Sequence, residues 1–338
     1  MIPSGNCQPL SLQAMGSKES SHLGISVPGK FWFGRVEVVE NRGVAQDTFL
    51  LVVEAAEVAH RILPGQFVML RFPETFDPLL GRAFALYDVC GAPAGQKAGL
   101  AIVYQVVGKM TRQMKDLGPG AELELWGPLG NGFPVFQANH LVLVAGGIGV
   151  TPFMALAKEV LGISCFGSPP RDVPKVERLT LCYGVRTRSY LTALEEFRRL
   201  GVEVCVATED GSEGHRGLVT ELLTKLFREK GLLRSNAPAA RAGTEQRPDL
   251  PSAGIGTEEL ASLVVVACGP EPMLEATAHI CRQFGVPCWV SLETPMACGV
   301  GICFSCAVRI RLEDGSWDYR RACVEGPIFP ADAIAWEP

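Results

Sequence analysis

Three cysteines fall within nine residues in the stretch MACGVGICFSCAV (296–308), and a fourth follows in RRACVEGPIF. The full spacing is Cys298-x4-Cys303-x2-Cys306-x16-Cys323. Four thiols so placed must be brought to one small centre, and the loop that carries three of them has to curl tightly. Gly299 and Gly301 permit that curl, because a residue without Cβ adopts conformations closed to other residues. The small side chains also let backbone N–H groups approach the sulfurs, while Val300, Ile302 and Phe304 limit water.

A C-x4-C-x2-C triplet with a distant fourth cysteine is the spacing that plant-type ferredoxins use for a 2Fe–2S cluster. Structural zinc prefers two C-x2-C pairs and fits the x4 gap poorly. The other eight cysteines (Cys7, Cys90, Cys165, Cys182, Cys205, Cys268, Cys281 and Cys288) are scattered, several in apolar runs such as LTLCYG and VVVACGP. They read as free thiols acting as small hydrophobes in a reducing cytoplasm. The first residues lack a basic start followed by an apolar core, so no secretory leader is read there. The uncharged run LVLVAGGIGVTPFMALA is short for a membrane span and is broken by glycines and a proline. A net charge of -5 with no basic patch gives no reason to expect nucleic acid.

Ahead of the cysteines the chain changes texture twice. Residues 1–30 read as a loose polar tail. From Phe31, runs rich in Val, Phe and Leu, separated by Gly, Pro and Asn, predict a small antiparallel β-barrel over 31–137. From 138 to 287, apolar strands alternate with helical segments: HLVLVAGGIG, RLTLCYGV, VEVCVATED and SLVVVACGP each precede one. That alternation predicts an α/β domain with a parallel sheet, carrying insertions near 164–177 and 234–256. Residues 288–338 form a third unit around the cysteines.

LVLVAGGIGVTPF reads as a strand, a glycine turn and a helix start, with Thr151 as N-cap and Pro152 as first helical residue. Gly146, Gly147 and Gly149 would allow backbone N–H groups to approach a phosphate. Neither the strict dinucleotide fingerprint nor the lysine of a triphosphate loop is present. In GRAFALYDV, Arg82 suits a phosphate and Phe84 a ring. In VGKMTRQM, Gly108, Lys109 and Thr111 suit an anion. No acid–base pair or nucleophilic triad is visible, and the five histidines are dispersed.

Taken in order, Arg82-Ala83-Phe84, the link GPLGNGF, GGIGVTPF, CGPEPM and the cysteine tail resemble the ferredoxin–NADP reductase superfamily. More narrowly, they resemble the electron-transfer subunit of NAD-dependent dihydroorotate dehydrogenase, over about Phe31 to Phe329. The resemblance implies FAD on the barrel, touched by Arg82, Ala83, Phe84, Ala85, Val103, Tyr104, Gln105, Met110 and Thr111. It implies NAD(H) over Gly146, Gly147, Gly149, Thr151 and Pro152, with Cys268, Gly269 and Pro270 near the nicotinamide. It implies a 2Fe–2S cluster on Cys298, Cys303, Cys306 and Cys323. It also implies a hetero-oligomer with an FMN-containing catalytic subunit, working in cytoplasmic pyrimidine biosynthesis. The family usually carries Ser or Thr where this chain has Ala85. Nicotinamide exchanges electrons in pairs and the cluster one at a time, so a flavin between them completes the set. The alternatives are a reductase serving a hydrogenase or oxygenase, and a redox sensor that does not turn over.

Overall fold

Alternation shapes the first half of the molecule. In the computed structural model, which describes residues 25–26, 31–90, 98–232 and 263–336, strand β2 (Trp32–Ala45) buries Val36 and Val38 while Glu37 and Val39 face water. That period of two is what a half-buried strand requires. The other strands of this sheet are β1 (Ile25–Ser26), β3 (Thr48–Glu54), β4 (Phe67–Arg71), β5 (Arg82–Ala85), β6 (Asp88–Cys90), β7 (Gly99–Gln105) and β8 (Glu122–Leu129). They run antiparallel in the order β5-β4-β8-β2-β3-β7-β6, with β1 on β2. The sheet curls because residues just past β5 reach both ends of it. Leu86 N–H donates to Gln66 ahead of β4, and Tyr87 N–H donates to Ala101 in β7. The stretch RAFALYDV therefore divides into two strands, β5 and β6, joined by this bridge. Short helices α1 (Ala56–Ala59) and α2 (Lys109–Met114) close the barrel.

The second half inverts the pattern. Strand β9 (His140–Gly146) is buried at every residue, as a central parallel strand covered on both faces must be. Around it lie β10 (Arg178–Val185), β11 (Glu203–Thr208), β12 (His215–Arg216), β13 (Leu263–Cys268) and β14 (Cys288–Ser291). The order is β12-β11-β10-β9-β13-β14, all parallel, with one antiparallel edge strand (Ile328–Pro330) beside β14. The covering helices are α3 (Phe153–Val160), α4 (Leu194–Arg199), α5 (Val219–Glu229) and α6 (Glu271–Phe284). Strand β14 corrects the boundary drawn at 288: Cys288–Ser291 pairs with β13, so the cysteine-rich unit starts after it. The tail 1–30, apart from β1, and the 234–256 insertion lie outside the described residues.

The helix start after β9 also differs from the expectation. A 3-10 turn over Gly147–Val150 runs directly out of the strand, Thr151 is already helical, and Pro152 sits at the N-cap with no side-chain cap. The turn satisfies the early backbone groups itself, so the Thr151 hydroxyl is not called on. The 164–177 insertion is irregular and is held by Arg171, which pairs with buried Glu159 of α3 and donates to the Phe133 carbonyl. Cys165 is disulfide-bonded, which departs from its reading as one more free thiol.

Barrel and sheet are pinned along one side. Tyr87 bonds Glu196 of α4, Asp88 pairs with Lys158 of α3, and Ala155 N–H donates to the Tyr87 carbonyl at 3.0 Å. Gln46 bonds both Ser189 and Tyr190. The opposite side is left open as a cleft. Among the described residues no helix is long and apolar enough to cross a membrane.

His140, at the base of β9, is buried, with Nε2 2.8 Å from the Thr180 hydroxyl and Nδ1 unpartnered. Burial pulls its pKa from 6.5 down to about 4, with Lys230 and Arg178 adding to the effect. A histidine held neutral in the fold but free to charge when unfolded contributes fully above pH 6.5. That contribution is lost as pH falls toward 4. Between those limits the wild type should lose up to about 3 kcal/mol that a His140→Gln variant does not lose. Denaturant unfolding at pH 7 and pH 5 checks it; parallel losses in both proteins would contradict it.

Candidate functional site

Chain order creates the cleft. From β9 the chain steps outward through β10 to β11, then returns to place β13 on the other side of β9. A ligand crevice opens at the carboxyl ends of the strands where the order reverses in this way, which here is between β9 and β13. The backbones approach closely at that point. A methyl on Gly149 would overlap the Cys268 carbonyl, and one on Gly146 would lie 2.6 Å from Met273 Sδ and 2.9 Å from Pro270. Gly147 turns with φ of +57°, in open space.

One cleft of about 1100 Å3 runs from this crevice onto the barrel. Its wall contains Arg82, Ala83, Phe84, Ala85, Val103, Tyr104, Gln105, Met110 and Thr111 from the barrel. From the sheet it takes Gly146, Gly147, Gly149, Thr151, Pro152, Cys268 and Pro270. Gly269 alone of the expected set stands behind the wall, against Gly146. Arg82 is exposed in the cleft and held only by the Leu80 and Gly81 carbonyls. No carboxylate pairs with it among the described residues, so its charge is available to an anion. Lys109, by contrast, is taken by Asp77, and the Thr111 hydroxyl already accepts from the N–H groups of Val107 and Gly108. Burial pushes the Cys268 thiol up to about 12, with the Glu293 carboxylate adding to the shift. At neutral pH it is an uncharged thiol.

Sequence reasoning missed several parts of this wall, including Tyr183 to Arg186 at the end of β10, and two of the missed parts bear most on the site. One is Glu209 with Leu218, beyond β11; the other is Ser291 to Met296, beyond β14. Both follow ends of parallel strands, and that position was the signal available.

The second part leads directly into the cysteines. Met296 lines the cleft and Cys298 is two residues on, at most about 7 Å away along the chain. Trp126 of β8 donates its indole N–H to the Cys298 carbonyl at 2.9 Å, fastening the loop to the barrel. Within the loop, the N–H groups of Val300 and Ile302 point at Cys298 Sγ, each at 3.4 Å. Phe304 takes a φ of +59°, which costs about 1–2 kcal/mol in a non-glycine residue. The thiols form two pairs. Cys303 bonds Cys298, and its pKa falls to about 6, chiefly through Ser305. Cys306 bonds Cys323, whose thiol burial pushes up to about 12. No three His, Cys, Asp or Glu side chains among the described residues close on a single metal-ion position.

Residues 293–335 match the family model for the iron–sulfur cluster binding domain of dihydroorotate dehydrogenase B. Over 295 residues the chain is 32% identical to the electron transfer subunit of dihydroorotate dehydrogenase B (NAD(+)) of Desulforamulus reducens, covering 87% of this chain and 95% of that one. This chain belongs to that family of electron-transfer subunits. The corresponding subunit of Geobacillus thermodenitrificans is 33% identical over 304 residues, covering 89% and 97%. Among solved structures, an NADH-dependent reduced ferredoxin–NADP oxidoreductase superposes with a TM-score of 0.66 at 27% identity, covering 89% of this chain and 90% of that one. A ferredoxin–NADP+ reductase from Neisseria gonorrhoeae, with bound FAD and NADP, shares the fold at a TM-score of 0.54 and 16% identity, covering 75% and 92%. The chain thus joins an iron–sulfur cluster binding domain to a reductase fold.

Proposed function

We propose that this chain carries electrons from an FMN-containing dihydroorotate dehydrogenase subunit to NAD+. It does so with FAD on the barrel, NAD(H) at the crevice and a 2Fe–2S cluster on Cys298, Cys303, Cys306 and Cys323. The units are then 31–137 for flavin, 138–291 for nucleotide and 292–336 for the cluster. The observation that carries this reading is the segment Ser291 to Cys298. A single stretch of chain forms the cleft wall and the first cysteine of the loop, so the two sites are neighbours by construction.

The residues present fit these groups. Arg82 offers an unpaired guanidinium where a flavin pyrophosphate would lie, and Phe84 and Tyr104 offer apolar ring surface. Gly146 and Gly149 let the turn after β9 close against Met273, Pro270 and Cys268, while Gly147 faces open space. The N–H groups around Cys298 Sγ stabilise a charged sulfur ligand. Flavin, when bound, supplies the exchange between hydride pairs and single electrons. The chain's own part is placement. Cys268 meets the nicotinamide half as a neutral thiol, and Ala85 presents a methyl group rather than a hydroxyl to the ring. The cleft takes no acid or base from its walls for a hydride transfer, and none is required.

Anaerobic titration of the purified protein with NADH tests this. Flavin absorbance should bleach, and a reduced 2Fe–2S signal should appear by low-temperature electron paramagnetic resonance. A protein purified without flavin, or a flavin that NADH does not bleach, would refute the reading.

A further inference from the structure

Two cysteines outside the cluster loop meet in the central sheet, and the electron-transfer reading makes no use of them. Cys182 of β10 and Cys205 of β11 are register partners in the parallel ladder. Neighbouring strands lie about 4.8 Å apart, within the roughly 4.4–6.8 Å that a disulfide spans between Cα atoms. Both side chains lie under α5, packed with Val219, Leu223 and Phe227, and the Cys182 thiol hydrogen-bonds Cys205. The ladder therefore already holds the two sulfurs at bridging distance. Another hydrogen-bonded pair, Cys281 of α6 and Cys288 of β14, joins a helix to a strand, so no ladder fixes its spacing.

The two thiols are not equivalent. Cys182 is fully buried, whereas Cys205 is half-buried on the outer strand. There β12 covers the edge of β11 only at Ala207 and Thr208, which leaves the strand open beside Cys205. The hydrogen bond from Cys182 brings the Cys205 pKa down to about 7, against the opposing pull of partial burial. The same bond, together with burial, holds Cys182 protonated. The thiolate is the attacking form of a cysteine. An accessible thiolate poised next to a second, resolving thiol is the arrangement found in cysteines that respond to oxidants. In a reducing cell such disulfides are transient ones. The cluster cysteines are not involved, since the chain reaches them from β14, on the other side of β9.

We infer that Cys182 and Cys205 are a modification site for hydrogen peroxide, closing to a reversible disulfide between β10 and β11. The inference goes beyond the electron-transfer reading and stands without it. The Cys205 thiolate attacks one peroxide oxygen, the O–O bond breaks, and the departing hydroxide takes up a proton as water. Cys205 is then a sulfenic acid. The Cys182 sulfur attacks it, the S–S bond forms, the S–O bond breaks, and the hydroxyl leaves with the Cys182 proton as a second water. Two thiols lose two electrons and one peroxide gains them.

Peptide mapping of the flavin- and cluster-loaded protein, treated with hydrogen peroxide and then blocked with iodoacetamide, tests this. Trypsin frees Cys182 in residues 179–186 and Cys205 in residues 200–216. In the wild type these peptides should lose their alkylation and appear joined to each other, and dithiothreitol should separate them. Cys182→Ser should leave Cys205 as a sulfenic acid that dimedone tags, whereas Cys205→Ser should leave Cys182 untagged. Full alkylation of both peptides in the peroxide-treated wild type would overturn the assignment. So would Cys205 joined to a different cysteine, and neither result depends on a variant that has to fold.

Discussion

Cys306→Ala should yield a protein that keeps its flavin and its reduction by NADH but carries iron at background level. Cys306 and Cys323 are the buried pair, at 2% and 3% exposure, packed with Phe67, Met69 and Leu129 of the barrel. Cys303 is exposed and Cys298 half-buried. Removing a buried thiol leaves its partner without the second sulfur of the pair. Transfer to a one-electron acceptor should then fall by more than about a hundredfold, beyond the roughly 10- to 100-fold typical of losing a group that merely supports a ligand. Cys182→Ala is the control. That thiol is equally buried but bonds Cys205 under α5, so iron should be unchanged. Iron analysis and visible absorbance read both. Full iron in Cys306→Ala would remove Cys306 from the ligand set.

The contrast between these cysteines shows what a linear pattern can reveal. Cys298, Cys303 and Cys306 lie on one loop, so their spacing already contained their geometry, as did the glycine turn after β9. The pairing of the barrel with Arg82 was legible from texture and order. Glu209 and the Ser291–Met296 wall were not. They stand far apart in the chain and meet only because β11 and β14 lie on opposite sides of β9 in a sheet order that local pattern does not encode. Strand β14 was misassigned for the same reason: VPCWVSL is short, and nothing in it says that it pairs with β13. Thr151 was misread because cap chemistry presumes a helix that starts cleanly, whereas a 3-10 turn leads into this one. The bond from Trp126 to Cys298, which ties the loop to the barrel, joins residues 172 apart.

Gly149→Ala should raise the KM for NADH by about 10- to 100-fold while flavin and iron content stay at wild-type levels. The added methyl would meet the Cys268 carbonyl and the Gly269 N–H, both backbone, and neither can rotate aside. Overpacking of that kind costs about 1–3 kcal/mol, and it falls where β9 and β13 close the crevice. Gly147→Ala is the discriminating comparison. Its Cβ would meet nothing, so only the left-handed backbone at φ +57° resists it, at about 1–2 kcal/mol for an L residue. If close approach governs nucleotide binding, Gly149→Ala is the more damaging substitution for NADH affinity, and Gly147→Ala appears mainly as a lower unfolding temperature. The reverse order would mean that the conformation of the turn, rather than the contact between the strands, forms the site.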